Sequence, residues 1–115
     1  MLAISPDPIL AAIADHRRLW EEYCAAINDV EEAARVSTQT PLFERQLDAM
    51  IAERDRLDKT EKKALAALSK VRPTTASGAA ALVTYIREDM KTGGSDWHQS
   101  ALGNVARSLT AMPRA

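Results

Sequence analysis

The clearest candidate for binding chemistry in this sequence is a cluster of basic side chains near its middle. Such cations contact phosphate groups, and the cluster predicts possible phosphate contacts for a nucleic-acid-binding regulator. Cations near the end of a predicted helix also favour its dipole, and Asp58 and Lys62 have the spacing of an ordinary helical ion pair. A solvated, salt-bridged helix face is therefore the first interpretation, and nucleic-acid binding is the alternative. The cluster consists of Lys59, Lys62, Lys63, Lys70 and Arg72.

His16 and Glu61 are the residues that could exchange a proton, provided that the fold brings them together. A buried carboxylate beside an imidazole shifts the pKa of both groups, as general acid–base catalysis requires. In helical bundles the same pair commonly fixes the alignment of two helices. The sequence offers these two residues no third catalytic group, so we predict a structural pair and a protein that is not an enzyme.

Metal and cofactor binding are not predicted. Di-iron helical bundles use a Glu-x-x-His motif, but Ile13 precedes His16 by three residues and Ser95 precedes His98. The chain has two histidines and one cysteine, Cys24, and none of these lies at zinc-ligand spacing. Phosphate-binding loops and nucleophile motifs are also absent from the sequence.

The elements that would hold these residues are predicted to be helices. Of the 115 residues 21 are Ala, the strongest helix former, and five are Phe, Trp or Tyr. Apolar residues recur at steps of four and three over about 7–35 and again over about 41–70, which is typical of long amphipathic helices. The link at 36–40 is short enough to require an antiparallel turn. We therefore predict an all-α fold built on a long coiled-coil-like hairpin.

The hairpin register follows from the repeat, because residue numbers at opposed positions of an antiparallel pair add to a constant. A sum of 77 sets apolar residues against each other, as in Val30 with Leu47. It also sets His16 against Glu61, and Tyr23 against Arg54 in a cation–π contact. A sum of 75 defines one apolar flank of the hairpin, where we expect the later helices to dock. That flank contains Leu10, Cys24, Ile51 and Leu65.

Two shorter helices are predicted over about 76–91 and 96–112, which completes a bundle of four helices in a single domain, 1–115. Thr74 or Thr75 caps the third helix after Pro73, and a Gly-Gly turn ends it. Its apolar face is Ala79, Leu82, Val83, Ile86 and Met90; that of the fourth helix is His98, Leu102, Val105, Leu109 and Met112. Trp97 either forms a contact surface or closes the end of the bundle.

The segment PTTASGAAALVTY, from Pro73 to Tyr85, resembles a set of small alphaproteobacterial helical-hairpin proteins. In those proteins a Pro-x-Thr-Thr or Pro-x-Thr-Ser loop and a Gly precede an Ala-rich helix. The resemblance implies a bacterial cytoplasmic origin, and it brings no activity or site residues with it.

Charge and hydropathy limit the partners that are expected. Residues 1–57 carry six basic and eleven acidic side chains and residues 58–115 carry nine and five, so the net charge of −1 hides two oppositely charged halves. This charge distribution argues against a dedicated nucleic-acid binder, and the lack of an apolar run of roughly 20 residues argues against a membrane protein. A lone cysteine is compatible with the reducing cytoplasm. We predict a cytoplasmic interaction protein, homodimeric through Leu10, Cys24, Ile51, Leu65 and Trp97, with no cofactor.

Overall fold

The computed structural model describes residues 7–35, 41–91 and 96–112, and within these ranges the chain forms four α-helices and no strand. The helices are α1 (Pro8–Arg35), α2 (Pro41–Leu68), α3 (Ala76–Met90) and α4 (Asp96–Ala111). Helices α1 and α2 pack closely, as a hairpin requires. The predicted all-α fold is confirmed, and the helix ends agree with the predicted ones to within two residues.

The helix starts follow from capping chemistry. The Asp7 carboxylate accepts a hydrogen bond from the Ile9 N–H at 3.1 Å, and Pro8 is the first helical residue of α1, as predicted. The Thr75 hydroxyl accepts from the Gly78 N–H at 2.9 Å, so Thr75 rather than Thr74 caps α3. The predicted Gly-Gly turn lies outside the described residues, as do Thr40 and Ser95, which precede α2 and α4.

The chain divides into two compact units, and each contains part of both long helices. The first unit takes in the chain up to His16 and from Ala64 onward. The second unit is Arg17–Lys63. The prediction of a single domain remains a prediction, and the two units are described separately below.

The first unit has a core to which all four helices contribute. Ile9 and Leu68, which the predicted register sets opposite each other, are both fully buried in it. Two alanines, Ala79 on α3 and Ala101 on α4, are 3% and 0% exposed, and their small side chains allow α3 and α4 to approach closely. The remaining buried members of this core are Ile13, Leu82, Tyr85, Ile86, Trp97 and Val105.

The second unit buries fewer side chains. Val30 and Leu57, both on the predicted seam, are buried, whereas Trp20 on the same seam is 41% exposed and contacts the ring of Tyr23. The Arg54 guanidinium donates to Asp55, so the cation–π contact between Tyr23 and Arg54 stays a prediction. The pairing of His16 with Glu61 also stays a prediction.

The buried faces of the two short helices differ from the predicted ones. On α3 the face includes Tyr85 instead of Met90, which is 53% exposed. On α4 the predicted positions Leu102 and Leu109 are 42% and 52% exposed. The predicted positions His98 and Val105 are buried, and the other buried residues of α4 are Trp97, Ala101, Asn104 and Ser108.

This correction has a physical reason. Helix α4 is held by two polar bonds, from the Asn104 amide to the Ser69 carbonyl and from the Trp97 ring N–H to Asp89. Both donors must face the core to reach their acceptors, and that orientation turns the large aliphatic residues of α4 outward. Apolar periodicity alone would bury the leucines, but here the hydrogen bonds and the close approach at Ala101 determine the face.

Candidate functional site

Three cations of the first unit come together at one depression on its surface. Lys70 and Arg72 follow the end of α2, and Arg107 lies on α4; all three are exposed. The depression, which we call the α2–α4 groove, has a volume of about 630 Å³. Its lining includes no carboxylate, and it is completed by Ser69, Gln99, Ser100, Gly103 and Asn104. The groove is therefore a concentration of positive charge and hydrogen-bond donors.

Asn104 positions the Arg107 guanidinium in this groove. The Asn104 side chain is 6% exposed, and its Nδ2 donates to the Ser69 carbonyl oxygen at 2.6 Å. Its Oδ1 accepts from Arg107 Nη2, also at 2.6 Å. Asn104 thus joins the end of α2 to α4 and leaves the guanidinium at the groove, with four of its five N–H donors not engaged by the described residues.

The last carbonyl groups of α2 are hydrogen-bonded by other groups of the chain. The Ser69, Lys70 and Val71 N–H groups donate to the carbonyls of residues 65, 67 and 68. The Ser69 hydroxyl donates to the Ala66 carbonyl at 2.8 Å. Cations after a helix frequently serve these carbonyls. Here backbone N–H groups and the Ser69 hydroxyl already bond these carbonyls, so Lys70 and Arg72 are not engaged in capping α2.

A second depression of about 390 Å³ adjoins the groove, since Arg72 and Arg107 line both. Ala106, Thr110 and Ala111 supply the rest of its lining. The two guanidinium groups therefore stand between two hollows, where a ligand can approach them from either side.

The other residues of the predicted basic cluster belong to the second unit. Lys62 Nζ donates to the Asp58 carboxylate at 3.0 Å, and this hydrogen bond raises the pKa of the Lys62 ammonium. Lys59 and Lys63 are exposed. Sequence reasoning found Lys70 and Arg72 but missed Arg107 and Asn104, because nothing in the linear sequence relates α4 to the end of α2.

The residues predicted as an interaction surface occupy different environments. Leu10 is 47% exposed, and Leu65 is half-buried against the core of the first unit. Cys24 and Ile51 are half-buried in the second unit. Trp97 is 9% exposed and lies in the core, which favours the prediction that it closes the bundle. The predicted docking flank needs correction at Leu10, because α3 and α4 cover Ile9 and Ile13 instead.

Cys24 has the properties of a packed side chain. Burial raises the pKa of its thiol, and the nearby negative charge of Glu61 raises it further. A thiol with a raised pKa is protonated at neutral pH and is a poor nucleophile.

An apolar stripe lies on the outer side of α4. Leu102, Ala106 and Leu109 are all exposed and recur at steps of four and three, so they share one face over two turns of the helix. We call this the α4 stripe. Its two leucines are among the most exposed large hydrophobic side chains of the described residues.

Two histidines are buried inside the first unit, and each is hydrogen-bonded to a side chain of α3. His16 Nδ1 and the Tyr85 hydroxyl are hydrogen-bonded at 2.5 Å, with the two rings edge to face. His98 Nε2 donates to Asp89 Oδ2 at 2.7 Å, and the Trp97 ring N–H donates to the same oxygen at 3.2 Å. The imidazoles of His16 and His98 are 3% and 4% exposed. These groups thus act as hydrogen-bonded members of the core.

Sequence reasoning missed both partners of these histidines. Tyr85 and Asp89 are four residues apart, which places them on one face of α3. A tyrosine and an aspartate at that spacing beside an apolar face are a usable signal for partners in the core. This spacing does not identify the residue that bonds to Tyr85, because His16 lies 69 residues away along the chain.

A buried carboxylate, that of Asp7, joins the start of α1 to the start of α3. Asp7 is 5% exposed, and its Oδ2 accepts from the N–H groups of Thr74 and Thr75, each at 2.9 Å. The Thr75 hydroxyl also donates to Oδ2 at 2.7 Å. Burial alone would raise the pKa of the carboxyl, but these hydrogen bonds and the one from Ile9 together lower it below its ordinary value.

Gly78 lies directly against this carboxylate. A Cβ atom on Gly78 would be 1.9 Å from Asp7 Oδ2 and 2.9 Å from the Ile9 side chain. Only glycine permits this approach. We call the arrangement of Asp7, Thr74, Thr75 and Gly78 the Asp7 corner.

Across 7–35, 41–91 and 96–112, no three His, Cys, Asp or Glu side chains lie close enough together to hold a metal ion. Within the same ranges no helix has the length and hydropathy to cross a membrane.

Comparison with known proteins adds no relative: no family model, no curated protein and no solved structure matches the chain. The resemblance of the segment from Pro73 to Tyr85 to alphaproteobacterial proteins therefore stays a prediction.

Proposed function

We propose that this protein is a non-enzymatic interaction protein that forms a homodimer through the α4 stripe. The observation that carries the proposal is the exposure of Leu102 and Leu109, at 42% and 52%, on one face of an otherwise well-anchored helix. An apolar stripe of this kind is stabilised when a second helix covers it.

A second copy of the chain is the occupant that we propose. In a twofold-symmetric dimer the same patch occurs on both subunits. The α4 stripe of each subunit therefore packs against the α4 stripe of the other, and one contact between two helices buries both stripes. The small side chain of Ala106, between the two leucines, leaves room for close helix approach. A bacterial cytoplasm is the compartment that we propose, and the single Cys24 fits it.

The test is the mass in solution by light scattering over a concentration series. We expect a particle of twice the 12.6 kDa chain mass. Replacing Leu102 and Leu109 together by Ser should weaken the dimer by roughly a hundredfold or more, since a buried leucine contributes about 1.5–3 kcal/mol. Helicity by circular dichroism should stay unchanged, because both side chains are exposed.

Leu42→Ser is the matched control, since Leu42 is 64% exposed on α2. It should leave the dimer intact. Leu10→Ser tests the flank that the sequence predicted. A monomer at all concentrations would refute the proposal, and dissociation by Leu10→Ser alone would move the interface from α4 to that flank.

A second candidate function, nucleic-acid binding, keeps one supporting observation. Lys70 and Arg72 meet Arg107 at one groove, although Lys62 of the same predicted cluster is paired with Asp58. Retention on duplex DNA that falls steeply with added salt would support this function. Failure to bind DNA at low salt would eliminate it.

A further inference from the structure

We infer that the α2–α4 groove is a binding site for a small molecule that carries a phosphate or diphosphate group. The ligand would be held by the guanidinium groups of Arg72 and Arg107 and by the Lys70 ammonium. This inference is independent of the dimer proposed above, because it uses the groove and not the α4 stripe.

The first support is the charge of the groove. Three cations line it, and none of the three is paired with a carboxylate of the described residues. By contrast, Arg18, Arg54 and Arg56 each have a carboxylate partner. Guanidinium groups bind phosphate oxygens through two parallel hydrogen bonds, so a pair of arginines suits a diphosphate.

The second support is that folding leaves these cations available. The last carbonyls of α2 are bonded to backbone N–H groups and the Ser69 hydroxyl, and the Ser69 carbonyl just beyond α2 accepts from the Asn104 amide. Buried Asn104 holds one N–H of Arg107 and so fixes the guanidinium before any ligand arrives. A fixed guanidinium loses less entropy on binding than a mobile one.

The third support is the size of the groove. Its volume of about 630 Å³ is large enough to hold a compact phosphorylated molecule at an open, polar surface. A nucleic-acid strand requires cations along an extended track, whereas here they converge on one place. The geometry therefore favours a compact phosphorylated molecule over a polymer.

The fourth support is Gly103, which lies in the middle of α4 and lines the groove. A Cβ atom there would be 3.5 Å from the Arg107 guanidinium, an ordinary contact distance, so packing does not require glycine. Glycine inside a helix lowers its stability relative to alanine. Because Gly103 has no side chain, the space next to Arg107 stays open, and a ligand would occupy that space.

The test is titration of the full chain with sodium pyrophosphate at low salt, followed by calorimetry and by amide chemical shifts. We expect saturable binding, with shifts at Gly103 and at the arginine side chains of the groove. The double variant Arg72→Gln with Arg107→Gln should bind roughly tenfold more weakly or worse, because it loses two charge-assisted contacts. Gly103→Val, which fills the groove and keeps every charge, should also weaken binding.

The matched control is Arg45→Gln with Arg87→Gln, which changes the net charge equally at exposed positions outside the groove. It should change the affinity by about twofold at most. Equal losses in the two double variants, or no saturable binding, would overturn the inference. Binding of duplex DNA with shifts at Gly103 but none with pyrophosphate would replace it with a nucleic-acid site. A melting curve of each variant would verify that it is folded before its affinity is compared.

Discussion

The Asp7 corner and the α2–α4 groove show two opposite ways in which this chain treats charge. In the corner one carboxylate is 5% exposed and accepts four hydrogen bonds from Ile9, Thr74 and Thr75. In the groove three exposed cations have no carboxylate partner among the described residues. A buried charge must be satisfied within the chain, whereas an exposed one is satisfied by water or a ligand. The corner therefore serves folding, and the groove can serve binding.

The two glycines at these places make the same contrast. Gly78 in the corner cannot take a side chain, because a Cβ would overlap the Asp7 carboxylate at 1.9 Å. Gly103 in the groove can take one at an ordinary distance of 3.5 Å from Arg107. One glycine is required by packing and the other is not, which separates a structural position from a candidate functional one.

The largest effect should come from adding one methyl group at each glycine. Gly78→Ala forces the carboxylate away from its donors and should lower the free energy of unfolding by about 3 kcal/mol. Gly103→Ala should raise it by roughly 0.5–1 kcal/mol, because alanine favours the helix. Urea denaturation of both variants measures the difference. Equal effects at the two sites would remove the distinction between corner and groove.

Removing the carboxylate should have the next largest effect. Asp7→Ala leaves the N–H groups of Ile9, Thr74 and Thr75 without their acceptor and should destabilise the fold by about 2 kcal/mol. Asp29→Ala is a suitable control, since Asp29 is exposed on α1. A loss at Asp7 no greater than that at Asp29 would contradict the role given to the corner.

The same carboxylate predicts a pH dependence. Its pKa in the folded chain is below the ordinary value of 3.8, so its stabilisation is fully present above that pH. The stabilisation is lost as the pH falls below about 4 and through the folded pKa. The stability difference between the wild type and Asp7→Asn should therefore be constant from pH 5 to 7, roughly, and shrink in acid. A stability difference that grows on acidification would mean that folding raises the pKa of Asp7 instead of lowering it.

The smallest loss of stability should come from Asn104, which belongs to the groove but is buried. Asn104→Ala removes the bond to the Ser69 carbonyl and frees the Arg107 guanidinium. We expect a loss of about 1 kcal/mol in the free energy of unfolding. Pyrophosphate affinity should fall as well, since Arg107 is no longer fixed. A loss of stability with unchanged affinity would assign Asn104 a role in folding alone.

Prediction from sequence succeeded where the interaction is local. The ends of α1, α2, α3 and α4 follow from Pro8, Pro41, Pro73 and the apolar repeat, because capping and helix periodicity act within a few residues. The fully buried Ile9 and Leu68 also lie on the predicted seam. In each case the signal and its structural consequence lie close together in the sequence or repeat along it.

Prediction failed where polar groups from elements far apart in the sequence come into contact. Helix α4 was expected to bury Leu102 and Leu109, but Asn104 and Trp97 face the core to reach Ser69 and Asp89. Likewise, the basic cluster was read as one stretch of α2, whereas Lys70 and Arg72 meet Arg107 from α4. No sequence period carries such information.

Helicity and the helix ends, to within two residues, are encoded locally, because backbone hydrogen bonding and capping are short-range. The buried face of α4, the distant partners of Asp7 and the set of cations that share a groove emerge only when the helices pack. These choices are made by hydrogen bonds between residues far apart in the chain, and their geometry exists only after the helices have packed.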